Sequence, residues 1–135
     1  MVIDSSALMA VLLNEPEAEE FAHIIASADR CLISAFSALE TAVVIELKKG
    51  DAGGRELDFL LYKTGSEIIP LDAGQYQLAR DAWRRYGNGR QPGGLNIGDC
   101  CSYALAKYTG ETLLFKGEDF KKTDVISAAG SEETE

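Results

Sequence analysis

Four acidic residues stand in settings where an isolated charge is costly. Asp4 follows Met1-Val2-Ile3, and Glu40 follows Ser37-Ala38-Leu39. Asp99 lies within Asn96-Ile97-Gly98-Asp99-Cys100, and Asp119 ends Leu113-Leu114-Phe115-Lys116-Gly117-Glu118-Asp119 before Phe120. Such segments belong at the mouth of a core, where an unpaired carboxylate tends to neutralise rather than stay charged. Four carboxylates brought to one cavity would repel and raise one another's pKa values. A hard divalent cation, Mg²⁺ or Mn²⁺, removes that penalty because it takes oxygen ligands. The chemistry to test is therefore metal-assisted hydrolysis, and it requires that the four converge.

The elements that would bring them together alternate between short β-like runs and amphipathic helices. Met1 to Asp4 reads as a strand and Ser5 to Leu13 as a helix. Pro16 suits a first helical turn, and Ala18, Phe21, Ile24 and Ile25 recur at helical spacing to about Ala28. Cys31-Leu32-Ile33 is a second strand, followed by a helix from Ser34 to about Lys48. Gly50 and Gly53-Gly54 punctuate the chain before a helix marked by Leu57, Leu60 and Leu61 that ends near Gly65. Glu67 to Leu71 is a third strand. Asp72 and Gln75 have capping-box spacing and open a helix to about Tyr86. A glycine-rich loop, Gly87 to Gly94 with Pro92, precedes a helix from Asp99 to Tyr108. Thr112 to Phe115 is a fourth strand and Val125-Ile126 a short fifth.

Strands separated by helices predict a parallel sheet covered on both faces. Ligands of such sheets bind beyond the carboxyl ends of the strands. Asp4 closes the first strand and Asp119 lies just past the fourth, while Glu40 and Asp99 occupy early helical turns. All four can reach one edge of the sheet. Each also has a purely structural reading. Asp4 could cap the Ser5 helix, and Glu40 could complete a Ser37-x-x-Glu40 capping box. Asp99 would gain from a helix dipole, and Asp119 could be an ordinary loop acid.

A chain of 135 residues, 46% hydrophobic and 26% charged, suits one domain with a real core. The domain is expected over 1–130, with 131–135, Ser131-Glu132-Glu133-Thr134-Glu135, as an acidic C-terminal tail. No apolar run approaches the ~20 residues that cross a bilayer. The N-terminus lacks the basic region of a signal peptide. Three cysteines, two of them adjacent, argue against a disulfide framework and for a reducing cytoplasm. One histidine and no Cys-x-x-Cys spacing exclude a zinc pattern. A formal net charge of −9 argues against nonspecific nucleic-acid binding and favours a basic partner.

The segments Asp4-Ser5-Ser6-Ala7, Glu40, Asn96-Ile97-Gly98-Asp99-Cys100 and Leu113 to Phe120 resemble the motifs of PIN-domain ribonucleases. More narrowly, the chain is similar to VapC toxins of type II toxin–antitoxin (VapBC) modules over nearly its whole length. The resemblance implies a PIN-like α/β/α sandwich with a central parallel sheet of four to five short strands. It also implies a homodimer, Mg²⁺- or Mn²⁺-dependent endoribonuclease activity, and inhibition by a cognate VapB antitoxin. Many PIN domains carry an aspartate two residues before the Asp119 position, where this chain has Gly117. That leaves Asp119 as the fourth acid, with Glu118 as a substitute.

On that resemblance, Asp4 and Asp99 would be direct metal ligands. Glu40 and Asp119 would act through water or hold a second ion. The expected reaction is hydrolysis of RNA phosphodiesters by metal-activated water, leaving a 5′-phosphate and a 3′-hydroxyl. Ser6 and Asn96 could orient a ligand or a water, although Ser6 could equally be a first-turn residue and Asn96 a turn former. Arg84, Arg85, Arg90 and Lys116 are candidates for phosphate contacts, since guanidinium forks match phosphate oxygens. An antitoxin arginine could enter the acid cluster, with the Ala18–Ile25 and Leu57–Leu61 helices as candidate docking surfaces. Two alternatives remain: a catalytically silent PIN-fold binding module, and a metal-dependent phosphohydrolase of another class. A phosphoaspartyl phosphatase would place Asp-x-Asp after the first strand, where Ser6 stands instead.

Overall fold

The computed structural model describes residues 1–90 and 94–130. The expected acidic tail and Pro92 of the expected loop lie outside the described residues. In chain order the elements are β1 (Val2–Ile3), α1 (Ser5–Leu12), α2 (Ala18–Ser27), β2 (Leu32–Ser34) and α3 (Ala35–Thr64). They continue as β3 (Glu67–Ile69), α4 (Ala73–Tyr86), α5 (Ile97–Thr109) and β4 (Leu113–Leu114). The strands form one parallel sheet in the order β3-β2-β1-β4.

Two-residue alternation decides which layer each strand residue supports. Ile3, Ile33 and Leu114 join a core with Ala7, Leu8, Phe21 and Ile25, from α1 and α2. Val2, Leu32 and Leu113 join a second core with Ala82, Cys100, Tyr103 and Ala106, from α4 and α5. β1, β2 and β4 are buried on both sides and read as short apolar runs, whereas β3 at the sheet edge is largely exposed. This is the expected α/β/α sandwich. Of the expected fifth strand only a single parallel bridge forms, Leu113 to Ser127. Ser127-Ala128-Ala129-Gly130 supplies no β-branched or aromatic residue to extend it.

Gly50 interrupts the helix as expected, whereas Gly53 and Gly54 do something other than end one. Only Gly50 leaves helical geometry, at φ 66° and ψ −156°, within the long element α3. A Cβ on Gly53 would lie 2.7 Å from the carbonyl oxygen of Ile45, and one on Gly54 2.6 Å from Glu46 Oε2. In a continuous helix, eight residues span ~12 Å. The chain therefore turns at Gly50 and folds back, with Gly53 and Gly54 as the contact surface between residues 35–49 and 51–64.

Two expected docking surfaces belong mainly to the interior. Phe21, Ile25 and Leu57 are buried, and Ile24, Leu60 and Leu61 pack against the first core. Phe59 in the second of them is nevertheless exposed, and Leu39, Val43 and Leu47 are exposed at four-residue spacing along α3. All three cysteines are buried and free. Among the described residues no helix is long and apolar enough to cross a membrane.

The close approach at Gly53 predicts that Gly53→Ala overpacks the α3 turn and costs about 1–3 kcal/mol. Substituting exposed Ala52 by Ser should stay within about 0.5 kcal/mol. Thermal denaturation of the two variants measures the difference; equal melting temperatures would show that the two halves of α3 do not touch there.

Candidate active site

Asp4 is set by the sheet and by the helix that follows it. Its amide donates to the Leu114 carbonyl at 2.9 Å, continuing the β1–β4 pairing past Ile3. Its side chain caps α1, with Oδ2 accepting the Ser6 amide at 3.0 Å and the Ser6 hydroxyl at 2.6 Å. The other oxygen, Oδ1, accepts the Ser102 hydroxyl at 2.6 Å. The capping reading of Asp4 holds, and the cap leaves Oδ1 to a partner from α5. Ser102 in turn shares a 3.0 Å hydrogen bond with Ser37. Ser6 Oγ also accepts the Lys116 amide at 3.0 Å. This line of hydroxyls ties α1, α3, α5 and the segment after β4 around one buried carboxylate.

Asp99 stands in the first turn of α5, which begins at Ile97 because Asn96 caps it. Asn96 Oδ1 accepts the Asp99 amide at 2.8 Å, and Asp99 Oδ2 accepts the Asn96 amide at 3.0 Å. The Asp99 carboxyl is pushed up to about 7 by burial, against the opposing effect of the Asn96 hydrogen bond. The charges of Asp4, Asp119 and Glu40 push it in the same direction as burial. Asp99 therefore feels each of the other three acids at the carboxyl end of the sheet.

Glu40 is not a capping-box residue, since α3 starts at Ala35 and the Ser37 hydroxyl turns to Ser102. Glu40 Oε1 accepts the Ser5 hydroxyl at 3.0 Å. A Cβ on Gly98 would lie 2.6 Å from the same oxygen, so this glycine lets Glu40 come up beside Asp99. Asp119 is exposed and acts on Asp99. Its neighbour Glu118 pairs with Lys121 at 3.2 Å.

The donor set is oxygen throughout, which suits Mg²⁺ or Mn²⁺ rather than a softer metal. Among the described residues, no three His, Cys, Asp or Glu side chains form a ready-made metal cage. Coulombic coupling acts over a longer range than coordination, so the two observations describe different distances. Mg²⁺ keeps several waters and needs only one or two carboxylates directly. An open group of coupled acids fits it.

The candidate phosphate contacts fare unevenly. Lys116 places its ammonium 2.7 Å from Glu15 and 3.3 Å from Glu17, so its charge is committed away from the four acids. Arg84 pairs with Asp81 at 3.6 Å. Arg85 donates to the Tyr103 hydroxyl at 2.8 Å and lies over Tyr86. Arg90 lies over the Trp83 ring. Ser6 donates its hydroxyl to Asp4. Asn96 acts through its cap on Asp99 rather than as a free amide. Sequence reasoning missed Ser5, Ser37 and Ser102. The available signal was Ser102, a hydroxyl three residues after Asp99 in an otherwise apolar stretch.

The PIN-domain family model matches residues 1–126. Ribonuclease VapC of Mycolicibacterium smegmatis is 53% identical over 127 residues, covering 94% of this chain and 98% of that protein. Ribonuclease VapC30 of Mycobacterium tuberculosis is 50% identical over 129 residues, covering 96% and 98%. Among solved structures, Mycobacterium tuberculosis VapC20, a sarcin-ricin loop cleaving toxin, superposes with a TM-score of 0.75 at 16% identity. That match covers 93% of this chain and 95% of that one. A toxin–antitoxin complex from Klebsiella pneumoniae gives 0.71 at 17% identity, covering 93% of each chain. At such identities these superpositions speak for the fold, whereas the sequence relatives and the family match go further: this chain belongs to the PIN-domain family and, within it, to the VapC ribonuclease toxins.

Proposed function

We propose that this chain is a Mg²⁺-dependent endoribonuclease, with Mn²⁺ as a possible substitute, acting in the cytoplasm as a homodimer and restrained by a cognate VapB-type antitoxin. The observation that carries the reading is the buried Asp4 carboxylate, oriented by Ser6 and Ser102, together with Asp99, on which Asp4, Asp119 and Glu40 all act electrostatically. Asp4 and Asp99 would hold the ion directly. When bound, the ion would activate a water for attack and offset charge on the phosphate undergoing displacement. Ser102 and Ser6 hold Asp4 in one orientation, and Asn96 fixes the main chain of Asp99. Glu40 and Asp119 would act on the ion through water or hold a second one. Membership among ribonucleases displaces the alternative of a phosphohydrolase of another class. A silent binding module has no need of a buried acid that three others repel.

The partner reading rests on charge and on exposed apolar surface. Leu39 and Val43 flank Glu40 on α3 and remain exposed. A helix laid along Leu39, Val43 and Leu47 would direct its following segment over Glu40, where an arginine could replace the ion. The surplus of negative charge favours such a basic segment.

Incubating the chain with total cellular RNA and Mg²⁺, then mapping 5′ ends, tests the activity. Discrete new 5′-phosphate ends are expected, with Asp4→Asn and Asp99→Asn each lowering the rate at least about 100-fold. Unchanged cleavage by Asp99→Asn would remove the assigned site. The hydroxyl support predicts that Ser102→Ala raises the Mg²⁺ concentration for half-maximal rate about 10- to 100-fold. That variant should retain its circular dichroism; an unaltered Mg²⁺ dependence would mean that Ser102 does not hold a ligand.

Asp99 binds its proton more tightly in the folded chain than in the unfolded one. Without divalent ions, its contribution to stability must therefore fall as pH rises from about 4 to about 7, then level off. Mg²⁺ competes with that proton and should stabilise the chain more above this window than below it. Melting temperatures with EDTA and with Mg²⁺, compared with Asp99→Asn, read both effects. A wild-type-to-variant difference that stays constant with pH would place Asp99 outside the crowded cluster.

A further inference from the structure

We infer that Arg90, held over the ring of Trp83, is a stacking platform for an unpaired base of the RNA next to the cut. The inference rests on the ribonuclease reading above and names how that site grips its substrate. Arg84 and Arg85 have partners within α4 and α5, but Arg90 is brought back onto an aromatic ring. Its amide donates to the Gly87 carbonyl at 2.8 Å, closing a tight turn just past the end of α4. A Cβ on Gly87 would meet Trp83 Cδ1 at 2.3 Å, so only glycine lets the turn sit this close. A Cβ on Gly89 would be in ordinary contact with the indole, 3.4 Å from Cζ2. The Arg90 guanidinium carbon then stands 4.5 Å from the ring centroid. Trp83 keeps 40% of its surface exposed, and Arg90 is exposed as well.

A surface cation–π pair alone contributes modestly to stability. What gives this pair a role is its anchorage. Gly87 bridges Leu95, the Asn88 amide donates to the Leu95 carbonyl at 2.9 Å, and the Leu95 amide donates to the Tyr86 carbonyl at 2.8 Å. Leu95 precedes Asn96, whose cap fixes Asp99. Four residues of chain reach at most ~14 Å. The platform is thus fastened to the backbone that positions an acid of the site.

Single-stranded RNA is recognised by splayed bases stacking on aromatic rings or guanidinium planes. Arginine offers a plane that lysine lacks. Stacking also suits a chain of net charge −9, which cannot rely on diffuse attraction for a polyanion. The larger π-face of a purine should fill the platform better than a pyrimidine.

Trp83 is the only tryptophan of the chain, so its emission reports on this position alone. The Asp99→Asn chain with Mg²⁺ is titrated with single-stranded 12-mers of adenylate or uridylate, and with inorganic tripolyphosphate at equal ionic strength. The expected result is a saturable change in emission with oligoadenylate, a weaker one with oligouridylate, and none with tripolyphosphate. In cleavage assays on the wild-type background, Arg90→Ala should raise KM about tenfold with little change in kcat. Arg90→Lys should not restore it, and melting temperatures show whether each variant is folded. Restoration by lysine, or an equal response to tripolyphosphate, would make Arg90 a phosphate contact and overturn the platform. Absence of any emission change in a chain whose wild type cleaves RNA would overturn the platform and leave the ribonuclease reading standing. Absence of cleavage together with a saturable adenylate response would do the reverse.

Discussion

The buried carboxylate of Asp4 constrains the molecule more than any other single group. It accepts hydrogen bonds from the Ser6 amide, the Ser6 hydroxyl and the Ser102 hydroxyl while almost fully withdrawn from solvent. Leaving a buried charged acceptor unsatisfied is expensive, so each donor must be delivered to a fixed place. Ser102 can arrive only if α5 packs on the second face of the sheet, and Ser37 supports it only if α3 crosses beneath. The Lys116 amide fixes the far side through Ser6. The α/β/α layering and the site therefore depend on one another, since the layers supply the donors and the donors hold the layers in register at the sheet's carboxyl end.

The same place carries an electrostatic cost that the protein alone does not relieve. Burial and three further carboxylates hold Asp99 well above the ordinary aspartate range. Gly98 makes this worse by admitting Glu40 alongside. A fold selected for stability alone would fill that position with a side chain and separate the acids. Charge is instead concentrated at one point, while Lys116, the nearest basic candidate in sequence, is drawn off to Glu15 and Glu17.

How much of this the sequence disclosed depends on the range of each interaction. Asp4 with Ser6, and Asn96 with Asp99, are contacts of two and three residues, so spacing alone could suggest them. The alternation of Val2 and Ile3 between two cores was likewise local. Ser102 to Asp4 spans 98 residues, and Lys116 to Glu15 spans 101. No local pattern reports on partners at that distance, which is why Ser102 went unnoticed and Lys116 looked free. Gly53 and Gly54 were misread for a related reason. A glycine that ends a helix and one that admits another backbone look alike until the chain is seen to fold back.

On the proposed reading, activation and restraint draw on one charge deficit. A cluster of acids short of positive charge accepts a divalent ion, and it would accept the guanidinium of a bound partner on the same physical terms. The ion leaves coordination positions open to water and phosphate, whereas a guanidinium has hydrogen-bond donors but no vacant ligand position. The two occupants would satisfy the same electrostatic need with opposite chemical outcomes. An antitoxin would then need no separate inhibitory surface, only enough apolar contact along Leu39, Val43 and Leu47 to aim one cation. Arg90 does not serve as an internal substitute for that cation. Its turn lays the guanidinium on Trp83, which leaves the deficit at the acids for an external charge to fill.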